Sequence, residues 1–345
     1  MSGEPMGGCS PRSSTQPCME PPALGVLLSA SRDPDAKLTF LVTSRRSPGA
    51  DGMVVKIPAT VVAGESVDRE GRMLVEMRRL PLGRLASTIP RYVESLDVKG
   101  RPVLVSTAVP GIPMTLGYHQ WSHTMRPAAV RADFEAAFAW LQAFQTATTH
   151  GRPSADWPTQ VLEAVSGRWD GHPALAGAVA RLEMACERLS GCGTATSAVH
   201  GDFWFGNVLV EAGVVSGVVD WEHAMPCGSP LSDAARFVLS YSLYLDRHTR
   251  PGRRVLGHPR LRRTGFAPGI LYALGGAGWF PELVRGTLAR HLEGLGLNPG
   301  LWYDVALCGI GEVAASANAD EFGAGHLELL ATLPVHARRH RRSPR

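Results

Sequence analysis

Between residues 200 and 222 the chain reads His200-Gly201-Asp202-Phe203-Trp204-Phe205-Gly206-Asn207, then two apolar runs, Val208 to Val210 and Val214 to Val219, and then Asp220-Trp221-Glu222. An acid and an amide five residues apart, with a second acid returned by a hairpin, are the parts needed to move a phosphoryl group onto a hydroxyl. Such a transfer asks little covalent chemistry of the protein. It needs a carboxylate that orients the nucleophile and accepts its proton, and hard oxygen donors that hold Mg²⁺ against the phosphates. Asp202 suits the first task, and Asn207 and Asp220 the second. Glu211-Ala212-Gly213, between the runs, has the length and glycine of a hairpin turn. His200 reads as a brace for the loop, and Gly201 as a residue placed for a torsion that other side chains resist.

These residues must be positioned by elements, and the sequence marks them. Residues 23 to 58 alternate strand-like runs with turn residues: ALGVLLSA, RDPD, KLTFLVTS, SPGADG and MVVKIP. This pattern predicts three antiparallel strands, the third carrying Lys56. A helix is predicted over 67–80, with Val67, Leu74, Met77 and Leu80 at helical spacing and Glu70 near its start. The apolar run from Pro102 to Val109 predicts a further strand ending at Pro110-Gly111. Beyond it the period becomes helical: 128–148 places Val130, Phe134, Phe138, Leu141 and Phe144 on one side, and 173–190 does the same with Leu175, Val179, Leu182, Cys186 and Leu189.

The HGD triplet, the Asn five positions after its Asp, and DWE followed by Ala224, Gly228, Pro230 and Asp233 resemble the aminoglycoside phosphotransferase and choline kinase superfamily. The likeness runs from about residue 23 to 330, with its sharp motifs at 200–233. It implies an α+β, protein-kinase-like fold of two lobes: an N-terminal antiparallel sheet plus helix, and a mainly helical C-terminal lobe. The implied divisions are a disordered leader at 1–22, a nucleotide-binding lobe at 23–108, a catalytic and acceptor-binding lobe at 109–334, and a basic disordered tail at 335–345.

On the resemblance, Lys56 grips the nucleotide phosphates and Glu70 orients it, with Glu76 the competitor for that role. Backbone groups at Ser106, Thr107 and Ala108 form the hinge facing the adenine. The connection from Ser29 to Ala36 takes the place of the nucleotide-covering loop but lacks its glycines, leaving backbone N–H groups, Ser29 and Ser31 for phosphate contacts. Asp233 braces the catalytic loop or caps a helix. Glu222 helps a second metal, shapes the acceptor site or fixes its own loop.

Composition sets outer bounds. The 345 residues, 44% hydrophobic, suffice for a large core. Lys and Arg number 35 against 31 Asp and Glu, and five arginines in the tail account for the excess, so the body has no nucleic-acid footprint. Six scattered cysteines without metal spacing read as reduced thiols of a cytoplasmic protein. Thr264 to Pro281, the longest uncharged stretch, is broken by glycines and prolines and is a poor membrane span.

The reading is a Mg²⁺-dependent enzyme moving the terminal phosphate of ATP or GTP to a hydroxyl of a small molecule such as an aminoglycoside, amino sugar, sugar or amino alcohol, with neither a membrane nor a protein partner implied. The alternative is an inactive nucleotide-binding or scaffold protein, favoured only by the glycine-poor covering loop. On the acceptor the residues pull two ways. A basic run from Arg247 to Arg263 favours an anionic or neutral acceptor unless it is a solvated loop, whereas Asp304, Glu312, Asp320 and Glu321 on C-terminal helices would suit an amine.

Overall fold

A computed structural model describes residues 23–30, 35–44, 52–153, 156–189, 193 and 195–334. The leader at 1–22, Ser31 and the tail at 335–345 lie outside the described residues. The first part is an antiparallel sheet built from β1 (Ala23–Ala30), β2 (Lys37–Ser44), β3 (Met53–Pro58), β4 (Tyr92–Val98) and β5 (Arg101–Thr107), in the order β1-β2-β3-β5-β4. Its β-branched and aliphatic strands suit a pleated, half-buried surface. Val103, Leu104 and Val105 of β5 are buried.

One helix, α1 (Val61–Met77), covers the sheet. It starts six residues before the predicted Val67 and stops three short of Leu80. The signal lies in Thr60, whose side chain accepts the Ala63 N–H at 3.1 Å and so satisfies a donor of the first turn. The exposed Val61 and Val62 begin the helix without joining its apolar stripe, so periodicity alone starts it too late. Val67, Leu74 and Met77 form the buried stripe and Glu70 lies within it.

Beyond residue 110 the chain is mostly helical. Pro127–Ala147 and Leu175–Leu189 match the two predicted stripes to within two residues, and Trp157–Arg168, Pro230–Leu243, Trp279–Gly294, Trp302–Ser316 and Asp320–Thr332 complete the main helices. The predicted hairpin is Val208–Glu211 paired with Val214–Val218. Ala195–Val199 leads into the loop at His200, and Met225–Gly228 returns beside it. The whole is the α+β arrangement expected, sheet plus helix first and helices after. Among the described residues, no helix is long and apolar enough to cross a membrane.

Packing explains why the 200–207 loop holds one shape. Phe203 and Phe205 flank Trp204 and are fully buried, each stabilising by roughly 1.5–3 kcal/mol. Phe203 stacks on Trp140 with ring centroids 5.5 Å apart, and Phe205 on Tyr118 at 4.4 Å. Trp221 is fully buried too, its indole N–H donating to the Val218 carbonyl at 2.8 Å. Both acid-bearing segments are thereby anchored in the core.

Candidate active site

The loop is braced from below. Asp233, in the first turn of Pro230–Leu243, accepts the His200 N–H at 2.7 Å on one oxygen and the Gly201 N–H at 2.9 Å on the other. It is therefore the loop brace, and the helix cap is Ser229. Burial pushes the Asp233 carboxyl up to about 7, against the pull of its two backbone donors. His200 donates from Nε2 to the Val219 carbonyl at 3.0 Å and accepts the Asp202 N–H on Nδ1 at 3.3 Å, which defines a neutral imidazole. Burial holds it down at about 4. Gly201 sits at φ +78°, and a Cβ there would lie 2.1 Å from the His223 carbonyl oxygen, so only glycine fits.

Asn207 turns its Nδ2 toward the Asp202 carbonyl at 3.0 Å and the Asp202 carboxylate at 3.2 Å. With both donors facing acceptors, its amide oxygen is directed elsewhere. The Asn207 carbonyl accepts the Val219 N–H at 3.0 Å, which ties the loop to the residue before Asp220. Asp220 adopts the left-handed conformation at φ 72°, rare for a side chain with a Cβ and common at functional turns.

Lys56 donates to Glu70 at 2.5 Å and to Asp220 at 2.6 Å. Burial opposes its charge, yet the Asp220 and Glu70 carboxylates hold the ammonium above the usual lysine range. Burial pushes Glu70 up, with Lys56 pulling the other way. Asp220 is desolvated as well, but Lys56 and Lys37 override this and keep it below the usual carboxylate range. Glu76 points outward to Arg79 at 2.5 Å, leaving Glu70 as the partner of Lys56.

Two basic residues in the site were missed from the sequence. Arg236 donates from Nε and Nη2 to one oxygen of Asp202, at 2.9 and 2.6 Å. Its signal is its place three residues after Asp233, on the same helix face. Lys37 forms an ion pair with Glu222 and lies 3.1 Å from Asp35 and 4.0 Å from Asp220. Lys37 alternates with Thr39, which stands opposite Lys56 in the ladder, so both lysines project from one face. Ser66 on α1 also donates to Glu222 at 2.6 Å. Glu222 thus ties β2 and α1 to its loop.

The remaining predicted residues take no part in these ion pairs. Ser29 is exposed on β1 opposite Thr39. Ser106 pairs within the sheet with Val54 and Tyr92. The Thr107 N–H donates to the Arg91 carbonyl at 2.9 Å and the Ala108 N–H to the Gly52 carbonyl at 2.7 Å. Those two donors are spent internally, so a base seated there would be read by other groups.

Asp202, Asn207, Asp220 and Arg236 line one cavity of about 300 Å³. A metal would meet hard oxygen donors here: the ionised Asp220 and the amide oxygen of Asn207. Glu70, Asp220 and Glu222 also present carboxylate oxygens within 4.8 Å of one another, and the two lysines compensate their charge. A sequence model of the phosphotransferase enzyme family matches residues 36–268, more than half of the chain.

The chain belongs to that family. It is a small-molecule kinase, and the phosphotransferase shares its fold with solved structures of low sequence identity. A thermostable mutant of aminoglycoside phosphotransferase APH(4)-Ia in its apo form is 15% identical, with a TM-score of 0.52 over 89% of this chain and 93% of that one. The same enzyme in a ternary complex with ADP and hygromycin B is 16% identical, with a TM-score of 0.52 over 89% and 92%. The "putative aminoglycoside phosphotransferase" of Ralstonia eutropha JMP134 is 14% identical, with a TM-score of 0.55 over 91% and 92%. No curated protein matches the phosphotransferase in sequence.

Proposed function

We propose that this phosphotransferase moves the terminal phosphate of ATP or GTP to a hydroxyl of a small molecule, with Asp202 as the base. The observation that carries the reading is the convergence of Asp202, Asn207 and Asp220 on one cavity, with Lys56 held beside Asp220 by Glu70. The acceptor hydroxyl gives its proton to Asp202 as its oxygen bonds the terminal phosphorus, and the bond from that phosphorus to the bridging oxygen breaks to release the nucleoside diphosphate. Arg236 occupies one oxygen of Asp202; the other accepts the Asn207 amide at 3.2 Å and has a second lone pair to orient the hydroxyl and receive the proton. Lys56 grips the phosphates, supported by Glu70.

Asn207 and Asp220 would hold Mg²⁺, which when bound neutralises phosphate charge. Asn207 suits this because its donors face Asp202 and its oxygen does not. The lobes divide near residue 108, with the base of the nucleotide against the segment 106–108.

The test is a screen with γ-labelled ATP over amino sugars, sugars and amino alcohols, together with Mg·ATP titration. Asp202→Ala is expected to lose turnover by about 10²–10⁴-fold while keeping nucleotide affinity. Near-normal turnover in that variant would remove Asp202 from the role of base.

A further inference from the structure

Resting on that reading, we infer that the acceptor is an alcohol with an aromatic or otherwise apolar body that carries an oxygen acceptor beside the reacting hydroxyl, and that it is not an amino sugar or other polycation. The cavity against Asp202 is walled by Trp204, Leu239, Leu243, Tyr244, Val313 and Phe322. Its volume of about 300 Å³ is at the small end of ligand sites, where apolar walls with a few placed polar groups bind compact molecules.

The two carboxylates that line the cavity are already paired: Asp202 with Arg236 and Asp220 with Lys56. A cationic acceptor would therefore meet acids whose charge is already compensated, beside a guanidinium that offers it only N–H donors. Burial keeps His326, also in the lining, neutral at neutral pH by holding it down at about 4, so it adds no charge to the cavity.

Three of the four acids singled out on the C-terminal helices are occupied as well, and the fourth, Glu321, is exposed and does not line the cavity. Asp304 is paired with Arg188, and Asp320 is held by Arg168 at 2.9 Å. Glu312 accepts from Ser232 on both oxygens at 2.9 Å and from the Trp157 indole at 3.1 Å, and burial pushes its carboxyl up. None of these three lines the cavity.

Arg236 uses Nε and Nη2 on Asp202, and among the described residues its Nη1 has no hydrogen-bond partner. A guanidinium offers donors and no acceptor, so the group it can read next to the reacting hydroxyl is an oxygen, not an ammonium. Outside the lining, Arg247 lies over the ring of Tyr244 at 5.7 Å, a second positive charge against one of the wall residues.

Binding to the unaltered protein loaded with Mg·ADP tests this by calorimetry with matched probes: 3-phenyllactate, 3-phenylpropane-1,2-diol, 1-amino-3-phenylpropan-2-ol and kanamycin. The lactate and the diol should bind at least about tenfold more tightly than the two amines, since a like charge against Arg236 costs more than the 1.4 kcal/mol that a factor of ten represents. Equal or tighter binding of either amine overturns the inference. So does the absence of binding by both oxygen-bearing probes at millimolar concentration, and in that case Mg·ADP binding in the same cell leaves the phosphotransferase reading standing. Failure of Mg·ADP itself to bind defeats that reading, and the inference with it.

Discussion

Arg236 closes two of its nitrogens on a single oxygen of Asp202, at 2.9 and 2.6 Å. The pair spans 34 residues and joins the 200–207 loop to the helix that also carries its brace, Asp233. This grip fixes the plane of the carboxylate, so the second oxygen has one direction in which to meet a hydroxyl.

Arg236→Lys keeps the charge and loses the fork, because an ammonium is a point donor. A charge-assisted hydrogen bond contributes about 1.5–3 kcal/mol, so kcat should fall by about 10- to 100-fold. Nucleotide affinity should stay within twofold of its unaltered value. Steady-state kinetics alongside Mg·ATP titration measure both, and a change confined to nucleotide affinity would contradict the positioning role.

Lys56→Met leaves Glu70 buried without its cation, at 2% exposure. Breaking a buried pair on one side costs about 3–5 kcal/mol, whereas replacing both partners by apolar groups is often near neutral. The double variant Lys56→Met with Glu70→Leu should recover part of the lost stability in denaturant melts, and not all of it, because Asp220 loses Lys56 and keeps only Lys37 at 4.0 Å. Neither variant should regain nucleotide affinity.

Gly201→Ala should cost at least about 3 kcal/mol, since the new Cβ meets a carbonyl oxygen where a positive φ is also required. The clash is with the His223 carbonyl at 2.1 Å, a backbone atom that cannot swing aside. Thermal unfolding measures the loss, and turnover should fall with it because the next residue is Asp202.

His258 is fully buried and held down at about 4 by burial, although its hydrogen bond to the Thr124 carbonyl at 2.9 Å pulls the other way. Its unfolded value is near 6.5, so between these values the unfolded chain binds the additional proton. Its contribution to stability is full above about pH 6.5 and is lost as pH falls toward 4. His258→Gln keeps a donor for Thr124 and removes the titration. Relative to that variant, the unaltered protein should lose about 3 kcal/mol between pH 7 and 4, a difference of about 2.5 pKa units. A pH-independent difference between the two would refute the buried neutral histidine.

Much of this was legible in the sequence, and the exceptions have physical causes. The three strands from Ala23 to Pro58 were readable because turn residues separate β-branched runs. The start of α1 was not, since Thr60 marks it and the first turn adds nothing to the apolar stripe. Ser106, Thr107 and Ala108 were placed by resemblance. Backbone hydrogen bonds leave no mark on residue types, so only coordinates reveal that the N–H groups of Thr107 and Ala108 are already engaged.

What the sequence determined by itself is the local kit: Asp202 and Asn207 on one loop, and Asp220 returned by a hairpin. These groups are close in the chain, so spacing and turn chemistry bring them together whatever the rest of the molecule does. Only the tertiary structure decided the charge around them. Lys37 meets Glu222 across 185 residues, Arg236 takes one oxygen of Asp202, and Asp304, Glu312 and Asp320 are bound to partners outside the cavity. Such long-range pairs follow from how helices and sheet pack around a buried core, and a list of charges cannot show which acid has already found its base.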